Sequence, residues 1–221
     1  MSILEARQLH KAYHTGQLDT PVLHGIDLEV TAGEFIAIMG PSGCGKSTLL
    51  YVLGLLARHD GGTVLVDGHD ASTLSDVAKT RLRRERMAFV FQRFNLLPAL
   101  TAEENVALPL KLSGKPHATE PREMLDRVGL GRKTHHRPAA LSIGEQQRVA
   151  IARSLVGRPA VLFADEPTGN LDSDNGQKVL DLLGEFNRGD GQTILMVTHN
   201  AEAARAAGRV IRMRDGKFVD E

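Results

Sequence analysis

Phe35-Ile36-Ala37-Ile38-Met39-Gly40-Pro41-Ser42-Gly43-Cys44-Gly45-Lys46-Ser47-Thr48-Leu49-Leu50 is the stretch on which the fold turns. Its unbroken apolar start, closed by Gly40, reads as a short strand buried on both faces, the habit of parallel sheets. Lys46 to Leu56 reads as a helix. Between them, Gly40, Pro41, Ser42, Gly43, Cys44, Gly45, Lys46, Ser47 and Thr48 match the phosphate-loop pattern in full. Glycines let backbone amides turn inward around an anion, and the following helix offers unpaired N–H groups and a partial positive charge. Lys46 can reach the β and γ phosphates, and Ser47 can ligate Mg²⁺. By itself the segment says nucleoside triphosphate and leaves kinase, GTPase and helicase open.

A second segment, Val161-Leu162-Phe163-Ala164-Asp165-Glu166, delivers two adjacent carboxylates at the end of an apolar strand. Strand alternation sends them different ways. Asp165 suits Mg²⁺ coordination through water, and Glu166 suits a general base for an attacking water. Beside the phosphate loop this reading outweighs two solvated charges.

Upstream lies Leu141-Ser142-Ile143-Gly144-Glu145-Gln146-Gln147-Arg148. Ser142 and Glu145 have capping-box spacing, which predicts a helix start. A helix N-terminus with serine and glycine is also an anion site. At this position before the paired carboxylates the segment resembles the signature of ABC-type ATPases. Other residues fall in the family's order. Gln92 resembles the Q-loop glutamine that senses Mg²⁺, Gly169-Asn170-Leu171-Asp172 resembles the D-loop, and His199 resembles the switch histidine at the γ-phosphate. Tyr13 is similar in position to the aromatic residue that stacks on adenine.

The resemblance covers nearly the whole chain. It implies a P-loop NTPase (RecA-like) α/β core with a parallel sheet and an N-terminal antiparallel β-subdomain (1–92 and 159–221), interrupted by a helical subdomain (93–158). It implies ATP and Mg²⁺ as cofactors, with Ser47, Gln92 and Asp165 at the metal. Glu166, His199 and Lys46 would act in hydrolysis, and Ser142, Gly144, Glu145 and Asp172 would serve nucleotide held with a second copy in a head-to-tail dimer. Permease subunits would do the membrane spanning, and the chain would sit peripherally on the cytoplasmic face of the inner membrane. Phe91 to Pro98 and Ala164 to Ser173 resemble the ATPases of lipoprotein-release and macrolide-export systems, whose relatives serve haem export, peptide resistance and cell division. A non-transporting ATPase that regulates a membrane partner has the same residues. A soluble ATPase of translation or DNA repair generally carries two cassettes or a coiled-coil insert.

Composition agrees. The 221 residues are 42% hydrophobic and 24% charged, with 27 basic and 27 acidic side chains. Such a chain can bury one sizeable core, and no basic surplus points to nucleic acid. The single cysteine excludes an intrachain disulfide. The first ten residues, with Glu5 and Arg7, lack a signal peptide's apolar core. The most apolar run, Leu49 to Ala57, falls short of the ~20 residues of a membrane helix.

Strands are expected over Ile3 to Leu9, Val22 to Val30, Thr63 to Val66, Val161 to Ala164 and Thr193 to Thr198. Helices are expected over Glu145 to Val156 and Val179 to Phe186, with Pro98, Pro109, Pro116, Pro121 and Pro138 as punctuation of the middle third.

Three positions carry sharper expectations. Ile143 replaces the signature's first glycine. Its side chain either packs back into the helical subdomain, the expectation favoured by the retained Ser142 and Gly144, or stands between subunits and damps closure. Cys44, just before a helix N-terminus, is expected to be a reactive thiol protected by nucleotide. Phe94 to Leu97 is apolar for a loop and is expected near the membrane partner, unless it fills the subdomain's own core.

Overall fold

A computed structural model describes residues 2–16, 18–113 and 120–219; all structural statements concern these, and Pro116 lies outside them. Two long strands, β1 (Ser2–Thr15) and β2 (Leu18–Thr31), pair antiparallel, and β4 (Gly61–Val66) adds to the other side of β1, followed by the short β5 (His69–Asp70). The second sheet runs β10-β9-β3-β8-β7-β6: β3 (Phe35–Met39), β6 (Met87–Val90), β7 (Val161–Asp165), β8 (Thr193–Thr198) and β9 (Arg209–Arg214) are parallel, and β10 (Lys217–Val219) turns back on β9.

The alternation of strand side chains divides the interior in two. Ile36, Ile38, Phe163, Leu195 and Val197 face one core, shared with the antiparallel sheet and with Leu49, Leu50 and Leu53 of helix α1 (Lys46–Leu53). Ala37, Leu162, Ala164, Ile194 and Met196 face the other. That second core is closed by α3 (Ala102–Ser113), α4 (Pro121–Arg127), α5 (Ile143–Leu155) and α6 (Ser173–Asp190). β7 and β8 are buried along their whole length, so their continuous apolar sequences follow from being covered on both faces.

Several elements differ from expectation. α1 stops at Leu53, where Gly54 caps it, rather than running to Leu56. α6 begins at Ser173, with Asp172 as its N-cap, well before Val179. Pro109 sits inside α3 instead of ending a helix. α2 (Asp76–Arg86), β9 and β10 were not anticipated, nor was the one-turn helix α7 (Ala201–Ala204). α2 buries no residue, so it carries no apolar stripe to read.

Because β3, β7 and β8 are parallel, their C-terminal ends emerge at one edge of the sheet. There the chain leaves as Gly40–Ser47, as Asp165-Glu166 and as Thr198-His199. Open α/β sheets place ligands outside such ends.

Candidate functional site: a phosphate cradle with a carboxylate–histidine pair

The loop after β3 turns tightly before α1. Gly45 is the N-cap of α1 at φ 102°, a backbone that disfavours any side chain. A glycine cap brings no side-chain acceptor, and the first turn of α1 carries no acidic residue, so its amides remain open to an anion. Pro41, Ser42 and Gly43 are exposed, while Lys46 is buried and donates Nζ to the carbonyls of Gly40 at 2.8 Å and Pro41 at 2.9 Å. The ammonium is thereby held at the cradle's rim.

Cys44 corrects an expectation. Its side chain is 5% exposed and belongs to the core beneath α1, with Sγ 4.0 Å from Lys46 Nζ. The thiol fills space under the loop, so the backbone rather than the side chain of Cys44 faces the cradle.

Ser47 Oγ donates to Oδ1 of Asp165 at 2.8 Å, and Tyr51 donates its hydroxyl to Oδ2 at 2.5 Å. Asp165 is 7% exposed. A hydroxyl and a carboxylate side by side are hard oxygen donors of the kind Mg²⁺ takes, and the pair fits that ion completed by phosphate oxygens and water. Among the described residues no three His, Cys, Asp or Glu side chains converge on a metal.

One residue on, Glu166 has φ 46°, a left-handed backbone unusual for a non-glycine residue. Its amide donates to Val197 O at 3.0 Å, tying the turn to β8. Its carboxylate contacts Thr198 Oγ1 through Oε2 at 3.2 Å and His199 Nδ1 through Oε1 at 2.8 Å. The arrangement presents an oriented carboxylate beside Asp165, suited to accepting a proton from water.

The signature segment starts α5 as predicted. Ser142 Oγ accepts from Glu145 N at 3.3 Å, and Glu145 Oε2 accepts from Ser142 N at 3.0 Å, completing a capping box. The other oxygen of Glu145 accepts from Lys133 at 2.6 Å. Asp172 caps α6, Oδ1 accepting from Asn175 N at 2.9 Å and Oδ2 from Asn175 Nδ2 at 2.7 Å. These two carboxylates, expected at the nucleotide, are therefore engaged within their own chain. Gly144 is required for packing: a Cβ there would meet Asn175 Oδ1 at 2.7 Å, so the starts of α5 and α6 touch through it. Ile143 overturns the packing expectation, because its side chain is 55% exposed beside exposed Ser142.

Gln92 lies with the D-loop. Its Nε2 donates to Asn170 Oδ1 at 3.3 Å and its carbonyl accepts from Asn170 Nδ2 at 2.8 Å, which leaves the side-chain oxygen as its atom for a metal. Tyr13, 43% exposed, brings its hydroxyl to 3.5 Å from Thr48 Oγ1 with Lys11 Nζ 5.5 Å from the ring centre, so the ring stands beside the cradle. Phe94 to Leu97 is divided. Leu96 packs on the helical core, whereas Leu97 is 44% exposed and anchored by Asn105 through its amide at 2.8 Å. Nearby, Phe89, Phe91, Leu108, Pro109 and Leu112 line an apolar groove of about 400 Å³ between β6 and α3.

A family model for ABC transporters matches residues 23–169, from within β2 through the cradle, Asp165, Glu166 and Gly169. The chain belongs to the ABC transporter family. It is an ATP-binding, ATP-hydrolysing cassette of that family. It is 47% identical to the lipoprotein-releasing system ATP-binding protein LolD 2 of Caulobacter vibrioides, over 97% of this chain and 95% of that protein. It is 45% identical to the macrolide export ATP-binding/permease protein MacB of Syntrophobacter fumaroxidans over all of this chain, which spans only 32% of that relative. Among solved structures, the dimeric post-hydrolysis state of the ATP-binding cassette MJ0796 bound to ADP and Pi superposes with a TM-score of 0.89 at 40% identity, covering 98% of this chain and 97% of that one.

Sequence reasoning placed Asn170 and Gln147 inside motifs but missed the supporting contacts of four residues at this site. Thr198 braces Glu166, Asn170 holds Gln92, and fully buried Gln147 donates to Pro167 O at 2.7 Å, joining α5 to the turn after Glu166. Tyr51 was legible in principle, since it lies one helical turn beyond Ser47.

Proposed function

We propose that this chain powers a membrane exporter or mechanical transmitter of the lipoprotein-release and macrolide-export type, working as a head-to-tail dimer docked on permease subunits. Each ATP lies between the Gly40–Thr48 loop of one copy and Ser142–Gly144 of the other. Lys46 neutralises phosphate charge, Tyr13 stacks on the base, and Ser47, Asp165 and the side-chain oxygen of Gln92 hold Mg²⁺. The metal supplies charge neutralisation on the phosphate oxygens. Glu166 takes a proton from the attacking water, and His199 orients Glu166 and faces the γ-phosphate. ATP favours the closed dimer and ADP does not, so hydrolysis resets the partner. The exposed Leu97 and the apolar groove beside α3 supply the surface for that partner. Among the described residues no helix is long and apolar enough to cross a membrane, which fits a division of labour with separate spanning chains.

The observation that carries this reading is the contact of Glu166 with both His199 and Thr198 at the sheet edge that presents the cradle. Glu166→Gln keeps the shape and removes the base. ATP hydrolysis should nearly vanish, ATP binding should persist, and light scattering should detect an ATP-dependent dimer. Wild-type turnover in that variant refutes the assignment.

A further inference from the structure

Ser47 and Tyr51 stand one turn apart on α1, so both side chains leave the helix on the same face. Both end on one carboxylate. Ser47 Oγ reaches Asp165 Oδ1 at 2.8 Å and Tyr51 reaches Oδ2 at 2.5 Å. The phosphate-loop pattern asks for a hydroxyl at position 47 and says nothing about position 51. The second donor is thus a property of this chain's own residues.

The Tyr51 ring is not free to swing. It lies 6.4 Å from the ring of Phe91 at 57°, Phe91 stacks on Phe89 at 5.7 Å, and Phe89 stacks on Phe163 at 5.0 Å. Phe163 is two residues before Asp165 on β7, on the same face of the strand. Strand, carboxylate, phenol and rings therefore close a loop around the Asp165 side chain.

We infer that Tyr51 is a positioning residue for the metal carboxylate: its hydroxyl pins Asp165 Oδ2 so that Oδ1 stays turned toward Ser47. The inference rests on the proposed reading of Ser47 and Asp165 as the Mg²⁺ pair. With the carboxylate already oriented, metal binding does not have to order it. Without the hydroxyl, Asp165 rotates more freely and presents one oxygen without its protein donor.

The test reads metal affinity apart from turnover. Mn²⁺ serves as the probe, titrated into the full chain with saturating ADP and followed by the electron spin resonance of free Mn²⁺. Tyr51→Phe keeps the ring and should weaken Mn²⁺ binding about tenfold, the scale of one hydrogen bond to a charged group. ADP affinity measured in EDTA should stay within about twofold, a change under half a kcal/mol. Unchanged Mn²⁺ affinity in Tyr51→Phe overturns the inference, as does an equal loss of Mn²⁺ and metal-free ADP binding. Asp165→Asn separates the two levels: if it leaves Mn²⁺ affinity intact, the metal reading itself fails. Should Tyr51→Phe not fold, emission gives the answer, since the chain has two tyrosines and no tryptophan. In Tyr13→Phe all tyrosine emission comes from Tyr51. It should change when Mg²⁺ joins ADP, as charge drawn from Asp165 weakens the phenol's hydrogen bond. Emission indifferent to Mg²⁺ overturns the inference.

Discussion

His199 Nδ1 lies 2.8 Å from Oε1 of Glu166, and Glu166 receives it from a left-handed backbone at φ 46°. Two constraints thus act on one carboxylate: a strained main chain aims it, and the histidine, with Thr198, limits its rotation.

His199→Ala removes one of those constraints and leaves the base in place. Hydrolysis should fall about a hundredfold, the scale of losing well-positioned proton transfer. ATP affinity should change far less, because Lys46 and the loop amides are untouched. Phosphate release after rapid mixing, beside equilibrium nucleotide binding, measures both. Hydrolysis within a few-fold of wild type would mean that Thr198 suffices to orient Glu166.

Exposure of Ile143 turns its prediction around. Since the side chain is 55% exposed at the first position of α5, Ile143→Gly removes little buried surface. Unfolding free energy should change by less than about 1 kcal/mol, the difference in helix propensity. Basal ATPase of the isolated chain should rise, because the bulk stands where two copies meet in the proposed dimer. Urea unfolding and steady-state turnover decide this, and a large stability loss with unchanged turnover would restore the packing view.

Leu96 and Leu97 should separate under charge. Leu97→Glu alters an exposed side chain and should leave the isolated chain folded while uncoupling its ATPase from the membrane partner. Leu96→Glu puts a charge against the helical core and should cost about 2 kcal/mol or more of stability. Melting curves of the two variants test the contrast, and equal destabilisation would mean that Leu97 also belongs to the core.

Acid sensitivity follows from Glu145. The Lys133 hydrogen bond holds its carboxyl below the ordinary value of 4.5, with the Ser142 amide adding to the effect. A carboxyl depressed on folding contributes stability that is present above its unfolded pKa and lost as pH falls through the folded one. Lys133→Met should therefore destabilise the chain at pH 7, by less than about 1 kcal/mol because the pair is partly exposed. That deficit should hold down to about the unfolded value, shrink below it, and vanish under the folded pKa. Urea titrations across pH 2–7 follow it, and a deficit independent of pH would assign the loss to packing of the lysine stem.

Much of the site was legible because its residues carry chemistry in fixed order. Gly40 to Thr48 announces both a strand's end and a helix's start, and the Ser142–Glu145 spacing announced a capping box that is present. The limits are equally specific. α2 buries no residue fully, so Asp76–Arg86 offers no strong apolar face to read. Orientation was the other gap: Cys44 turns inward, Ile143 outward, and Gln92 toward Asn170. Local sequence says which atoms a residue owns, while packing decides where they point. Glu145 shows both sides: its bonds with Ser142 are local and legible, whereas its contact with Lys133 is made by the fold.

The left-handed backbone at Glu166 has a consequence for laboratory evolution. Glycine adopts φ near 46° at no steric cost and asparagine at little, whereas glutamate is strained there. A library screened for heat resistance alone should accordingly enrich glycine or asparagine at position 166 and yield hardier, inert cassettes. The same library screened for turnover should hold glutamate and gather its stabilising changes elsewhere. Position 166 is thus where thermal selection and catalytic selection pull apart, and any engineering campaign on this chain has to hold that codon constant.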